Sequence, residues 1–324
     1  MKVIVLNSTN PYYNLAVEEY LFLHSEERVF MLWQNDKTVV IGKNQNAYTE
    51  VDKKIADSYG VKISRRITGG GAVYHDLGNV NYSYIDPNST SSDIDFKTYT
   101  APIIKALKSM GVTAKLSGRN DLETLEGYKI SGSAQHRVGN RVLHHGTLLF
   151  SSDLDFMSKV LTPSVEKLNS KAVKSVKKRV TNVCNLSSVK SVSEFILTLK
   201  SFIIKELNAE EMPVPKNLEI DVLFTRNSSY EWIFGEKSMV VDYQKVNSKR
   251  YDFGSVEVAV NLSGEVINSI KITGDFFGKE DISLLEKKLE NTLLSTIEKT
   301  LDGLDISTFI LGITKEEFKK LLND

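Results

Sequence analysis

Apolar positions along the chain switch repeatedly between a two-residue and a three-to-four-residue rhythm, so the pattern predicts strands and helices interleaved. Val3–Leu6 reads as a short buried strand. Asn10-Pro11 marks a helix start, since proline suits the first helical position, and Leu15, Val17, Tyr20, Leu21 and Leu23 give that helix an apolar face. Arg28–Gln34 and Thr38–Gly42 read as a pair of strands around the polar turn Asn35-Asp36-Lys37. Val51–Tyr59 is a short helix closed by Gly60, Val61–Arg66 is a strand that runs into Gly69-Gly70-Gly71, and Val80–Ile85 alternates in strand fashion. Phe96–Met110 has helical spacing through Ile103, Ile104, Leu107 and Met110, and Gly111 stops it. Tyr128–Arg137 and Arg141–Phe150 flank Val138-Gly139-Asn140, a hairpin signal. From Leu161 to Lys178 the chain is lysine-rich with few large apolar residues and reads as a loop or weakly ordered segment. Val192–Leu207 is an amphipathic helix.

A boundary is expected near Gln244–Lys249. Beyond it, Gly254–Val260 and Glu265–Thr273 look like two strands around Leu262-Ser263-Gly264, followed by helical patterns at Asp281–Leu294 and Lys315–Leu322. Strands followed by helices make a small α+β unit, so the expected organisation is a large domain over 1–246 and an accessory domain over 247–324, of α+β class overall. No internal repeat or heptad run interrupts this.

Composition narrows the function classes. The chain has 324 residues with 41% hydrophobic and 25% charged positions, enough for a real core. Its 41 basic and 41 acidic residues cancel, so nucleic acid is not the default partner. The lone Cys184 cannot form an intramolecular disulfide or a cysteine zinc site. No signal-peptide core and no apolar stretch of about 20 residues is present, so no membrane association is expected and a reducing cytoplasm fits.

Two segments carry the candidate chemistry. The first runs Arg65-Arg66-Ile67-Thr68-Gly69-Gly70-Gly71-Ala72-Val73-Tyr74-His75-Asp76-Leu77-Gly78-Asn79. Three consecutive glycines are costly to order. Such a loop is useful where a ligand must touch bare backbone, whose N–H groups form an anion-binding nest. Arg65 and Arg66 add fixed positive charge suited to phosphate or carboxylate. The P-loop and dinucleotide fingerprints are both missing, so a nucleotide would need a different cradle. The second segment runs from Ser117-Gly118-Arg119-Asn120-Asp121 through Tyr128-Lys129-Ile130-Ser131-Gly132-Ser133-Ala134 to His144-His145-Gly146-Thr147. Lys129 precedes a run of small residues that permits close ligand approach. A lysine there suits carboxylate activation, where a carboxylate attacks an α-phosphate and a cation offsets the repulsion of two anions. Asn120 and Asp121 fit either a nucleotide hydroxyl or Mg²⁺, or simply a turn. His144 and His145 lie in a strand and point to opposite faces, so at least one is structural.

Together these motifs resemble the lipoate–protein ligase A family, whose catalytic fold is shared with biotin–protein ligases. The run Arg65–Asn79 is the most specific part. Gly118–Asp121, Lys129–Ala134, His144–Thr147 and Arg179-Val180-Thr181-Asn182 agree in order, as do Asn14–Glu19 and Thr38–Asn46. The resemblance implies a mixed-sheet catalytic domain and a two-step reaction: lipoate, or octanoate, and MgATP give an acyl-AMP and pyrophosphate, and a lysine of a carrier domain then takes the acyl group. It implies Lys129 as the essential lysine. Nucleotide contacts are implied at Arg66, Gly71, Ala72, Val73, Tyr74, Asn79, Asn120 and Asp121, with Asp121 also the metal ligand. Acyl contacts are implied at Arg65, Gly69, Gly70, Gly71, His75, His145 and Gly146. About Leu161–Arg179 looks like the family's adenylate-binding loop. The implied partners are lipoyl domains of 2-oxoacid dehydrogenase acyltransferase subunits or the glycine cleavage H protein. Biotin ligases carry an arginine-glycine repeat that this chain lacks. The rival reading is a cysteine-dependent octanoyl or lipoyl transferase of the same superfamily, for which Cys184 would be the only nucleophile.

Overall fold

The computed structural model describes residues 1–91, 94–118, 120–161, 180–235 and 243–323. Its strands are β1 (Lys2–Val5), β2 (Val29–Trp33), β3 (Thr38–Ile41), β4 (Lys62–Arg65), β5 (Val73–His75), β6 (Asn79–Asp86), β7 (Ala114–Ser117), β8 (Asp121–Thr124), β9 (Lys129–Val138), β10 (Arg141–Leu149), β11 (Glu210–Glu211), β12 (Lys245–Tyr251), β13 (Gly254–Ser263) and β14 (Val266–Gly274). Its α-helices are α1 (Pro11–His24), α2 (Ala47–Glu50), α3 (Lys53–Ser58), α4 (Phe96–Ser109), α5 (Leu154–Val160), α6 (Val192–Glu206), α7 (Leu218–Ser228), α8 (Tyr230–Phe234), α9 (Ile282–Leu289), α10 (Ile297–Asp302) and α11 (Lys315–Asn323).

The main sheet is mixed, eight strands in the order β11-β1-β2-β6-β10-β9-β8-β7. Alternation along β2 explains why it lies centrally. Phe30 and Leu32 face α4 and α6, packing with Ile103, Leu107, Phe195 and Leu199, while Met31 and Trp33 face α1, packing with Leu15, Leu21 and Phe22. A strand buried on both faces reads as an unbroken apolar run, as Val29–Trp33 does. On the α1 side lies a second, three-stranded sheet, β4-β3-β5, with its own core of Val39, Ile41, Ile63 and Tyr74.

This arrangement corrects one expectation. β2 and β3 do not pair; β2 lies between β1 and β6, and β3 between β4 and β5. The connector Asn35–Lys37 therefore joins two sheets, and Asn35 is fully buried rather than at a solvated turn. Helix α1 starts as expected, with Asn10 accepting from the Tyr12 N–H and Pro11 in the first turn. The β9–β10 hairpin and α4 also form, the latter ended by Gly111 at φ +86°.

The C-terminal unit is an antiparallel sheet, β12-β13-β14, covered by α9, α10 and α11. Val256, Val258, Val260, Ile270 and Ile272 pack with Leu285, Leu301 and Phe318. Its first strand, Lys245–Tyr251, runs through positions 246 and 247, where the division was expected. No helix among the described residues is long and apolar enough to cross a membrane.

Candidate active site

A cavity of about 140 Å³ lies on the α1 side of the main sheet. Its floor crosses four neighbouring strands, β9, β10, β6 and β2. Three strand spacings put its ends about 14 Å apart. At the β9 end stand Lys129, Asn120 and Gly132; Gly146 and Thr147 on β10 and Asn81 on β6 continue the floor; Trp33 on β2 closes the other end with Leu15, Val40, Val73 and His75. Gly70, Gly71, Ala72, Arg66 and His145 complete the walls.

Lys129 opens β9 and its side chain is 38% exposed. Its Nζ meets Asp121 Oδ1 at 2.7 Å. Asp121 stands opposite Gly132 in the register of β8 and β9, and a Cβ at Gly132 would lie 3.2 Å from that Nζ. The glycine thus gives the lysine room to lie along the strand. Asn120 is fixed beside it, its side-chain amide donating to Ser133 O and its carbonyl accepting from the Ser133 N–H.

Arg66 is bound far more tightly. Its Nε donates to Thr68 Oγ1 (2.9 Å), Nη1 to Val40 O (3.0 Å), and Nη2 to Gly69 O and Gly71 O (both 2.8 Å), so the glycine loop is folded around a guanidinium. Burial pushes its pKa down to about 10, against the opposing field of Glu18, and leaves it charged at neutral pH. Beyond Thr68 the network continues: Thr68 Oγ1 meets His145 Nε2 at 2.8 Å, and His145 Nδ1 meets Glu18 Oε1 at 2.9 Å. A carboxylate only accepts, so Nδ1 carries a proton, and in the neutral ring Nε2 accepts a hydrogen bond from the Thr68 hydroxyl. Ser83 also donates to Glu18, at 2.5 Å.

The C-terminal unit reaches this loop. The Gly70 N–H donates to Phe276 O (3.4 Å), the Gly274 N–H to Asn44 O (2.9 Å), and Lys43 pairs with Asp281 at 2.6 Å. Phe277 packs with Phe96 and Ala134 and stands against Gly70.

Most of the expected site residues converge. Arg66, Gly70, Gly71, Ala72, Val73, His75, Asn120, Lys129, His145 and Gly146 line the cavity, with Asp121 beside it. Four do not line it. Arg65 points away from Arg66, as neighbours on an extended chain do, and donates to the carbonyls of Gly42, Lys43, Gln45, Trp232 and Ile233. Tyr74 alternates with Val73 and His75 and faces the core of the small sheet. Asn79 sits behind Asn81, donating to its Oδ1 at 2.8 Å. Gly69 packs on the C-terminal unit, where a Cβ would lie 2.5 Å from Phe276 O. His144, the other face of its strand, is buried between Phe96 and Tyr99, and burial pushes its pKa down to about 3. Of the expected adenylate-binding loop, residues 162–179 lie outside the described residues.

Two family descriptions match: "Lipoyl protein ligase A/B catalytic domain" over residues 10–203 and "Bacterial lipoate protein ligase C-terminus" over 241–322. The chain belongs to the lipoate–protein ligase family. It is 36% identical to lipoate-protein ligase LplJ of Bacillus subtilis and 35% identical to lipoate–protein ligase 1 of Staphylococcus aureus, covering 98% of both chains in each case. Among solved structures, it matches P. falciparum LipL1 in complex with lipoate with a TM-score of 0.80 and 26% identity, over 100% of this chain and 99% of that one. A lipoate-protein ligase A bound with ATP matches with a TM-score of 0.60 and 27% identity, over 72% of this chain and 98% of that one. A bipartite lipoate protein ligase from Thermoplasma acidophilum, from a structural analysis of that ligase and its E2 lipoyl domain, matches with a TM-score of 0.63 and 29% identity, over 72% of this chain and 96% of that one.

Within this ligase, Cys184 is no nucleophile for the cavity. It sits in the short 3₁₀ turn Val183–Asn185, half-buried against the core on the α4 and α6 side of the sheet, and its thiol faces Asn185 Oδ1 at 3.7 Å. The rival transferase reading fails on that placement. The sequence resemblance implied a lipoate-binding loop over Ser64–Gly71, which includes Thr68, but no individual site role for Glu18, Trp33, Asn35, Thr68 or Asn81. One signal was present: Asn79, Asn81 and Ser83 put polar groups on one face of the fully buried β6, which marks a polar lining.

Proposed function

We infer that the protein activates lipoate with ATP and transfers the acyl group to a lysine of a lipoyl carrier domain. The observation that carries this is Lys129, partly exposed, at one end of a half-open, mostly apolar cavity, between a carboxylate partner and a glycine loop. The acyl chain would lie across β10 and β6 with its carboxylate at Lys129. A carboxylate oxygen attacks the α-phosphorus, the bond to the bridging oxygen breaks, and pyrophosphate leaves. Lys129 offsets the charge of the two anions, needing no proton transfer. Backbone at Gly71, Ala72 and Val73 would take nucleotide oxygens, with Asn120 beside them. In the second step the carrier amine attacks the acyl carbon, AMP departs and the amine loses a proton.

Among the described residues no three His, Cys, Asp or Glu side chains gather as a metal cage. Mg²⁺ does not need one, since it binds through one or two carboxylates, nucleotide phosphates and water. Asp121 would supply the carboxylate, and bound Mg²⁺ would neutralise phosphate charge. We further place the division of the chain just before β12, the partners among 2-oxoacid dehydrogenase acyltransferase subunits and the glycine cleavage H protein, and the protein in the cytoplasm, where ATP is supplied. The experiment incubates the protein with lipoate, MgATP and apo lipoyl domain and weighs the domain by mass spectrometry. A lipoyl mass increment on the carrier lysine is expected; an unmodified carrier, with folded protein, overturns the proposal.

A further inference from the structure

One residue of the cavity wall carries a buried side-chain nitrogen that has no hydrogen-bond partner among the described residues. His75 is 3% exposed in the cavity wall, and its Nε2 meets no partner among the described residues. The position of its proton follows from a chain of acceptors. The side-chain atom of Asn14 that faces Ser8 O (3.0 Å) and Gln34 O (2.8 Å) must be the amide nitrogen, because carbonyl oxygens only accept. That nitrogen lies 3.0 Å from the Asn35 side chain as well; an amide nitrogen does not accept, so an Asn35 nitrogen there would set donor against donor, and the atom is Oδ1, sharing one of the two N–H groups. The remaining Asn35 atom, 3.1 Å from His75 Nδ1, is therefore Nδ2, a donor. Asn81 Nδ2 approaches the same Nδ1 at 3.4 Å, its own Oδ1 engaged by Asn79. His75 Nδ1 is an acceptor, and the proton of the neutral ring sits on Nε2. Burial, with Arg66 and His145 as further causes, pushes the ring's pKa down to about 3, so it stays neutral in ordinary buffers.

A buried N–H without an acceptor is destabilising, and in a cavity wall its natural partner is the bound ligand. Resting on the ligase reading, Lys129 fixes the carboxylate at the β9 end, so the tail of the acyl chain lies at the β2 end beside Trp33 and His75. We propose that His75 is a specificity-determining residue: its Nε2–H donates to a sulfur of the substrate's dithiolane ring and selects a sulfur-bearing tail over a plain alkyl tail. A divalent sulfur is a weak acceptor, and the Trp33 indole, which meets the His75 ring edge-on at 6.1 Å, offers a polarizable sulfur an aromatic wall. Octanoate has the same chain length but ends in a methyl group, which leaves the donor unpaired.

The test measures kcat/KM for pyrophosphate release by the full chain, with lipoate and with octanoate. His75→Phe keeps the ring packing and removes the donor. The ratio of the lipoate to the octanoate value should fall about 3- to 10-fold, the worth of one neutral hydrogen bond, and a cooperative urea unfolding transition reports that the variant folds. His75→Gln, which retains an N–H, should recover part of the ratio. On the wild type, ¹⁵N-histidine NMR should show the His75 Nε2–H resonance moving on adding lipoate but not octanoate. Equal losses for both acids, or an unchanged ratio with a resonance indifferent to lipoate, would overturn the assignment alone. A wild type inert with every acid would instead sink the ligase reading beneath it.

Discussion

Arg66 and Lys129 both line the cavity, yet they are held in opposite ways. Arg66 is buried and gives its protons to Thr68, Val40, Gly69 and Gly71, with Glu18 behind the network; nothing that enters the cavity can displace so many partners at once. Lys129 is more than a third exposed and holds one carboxylate, which a phosphate or an acyl carboxylate can replace. The contrast teaches that one cation is taken up in building the wall and the other is left available for the charge-offsetting role proposed for it, although both are basic residues in one pocket. A guanidinium with fixed fork geometry suits the first task and a mobile point charge the second.

The sharpest way to break this contrast is Lys129→Ala. Adenylation, read as pyrophosphate release, should fall about 10³-fold, while the urea midpoint of unfolding stays where it was. A variant that keeps its activity would remove Lys129 from the chemistry. Glu18→Ala should do the reverse damage, costing about 3–5 kcal/mol of stability because His145 and Ser83 lose their acceptor and Arg66 its nearby negative charge. An unchanged unfolding midpoint would show the network is not structural. Acid should act on the buried rings on both faces of the main sheet. Burial lowers His75 and His144 to about 3, so they bind protons more readily unfolded than folded. Stability therefore falls as pH drops below about 6.5 and continues falling toward the folded values, by up to about 1.4 kcal/mol per pH unit for each ring. Denaturant melts at pH 6.5 and 5 measure it, and His144→Phe should flatten the slope. The smallest effect belongs to Cys184→Ala: ATP-dependent labelling of a carrier should be unchanged and stability altered by about 1 kcal/mol or less.

The parts of the fold legible in the sequence were those written in local signals. Asn10-Pro11 announced α1, Gly139-Asn140 the β9–β10 hairpin, and Gly111 the end of α4, because caps and turns depend on a few neighbouring residues. Strand partnership is not local, and the β2–β3 pairing was misread for that reason: two apolar runs joined by a polar connector look like a hairpin whether or not they share a sheet. Short elements were missed as well. β7 and β8 hold only four residues each, and α7 exposes Leu218 and Val222, which blurs its amphipathic stripe. In the site, motif residues were found but not their facing. Arg65 and Arg66 look equivalent on paper, and only the strand's alternation sends one into the small sheet's surroundings and the other into the cavity. Glu18 and Thr68 stood inside quoted motifs without an individual contact assigned to them, since that contact comes from His145, which lies far along the chain.

The connector between Trp33 and Thr38 carries the chain from the floor of the cavity to its facing wall, and within it Asn35 grips both helix α1 and the ring of His75. Its length is thus a ruler for the gap between the two sheets. Lengthening it by one residue would shift the wall against the floor. Tolerance of insertions, normally high in connecting segments, should therefore be low at this one.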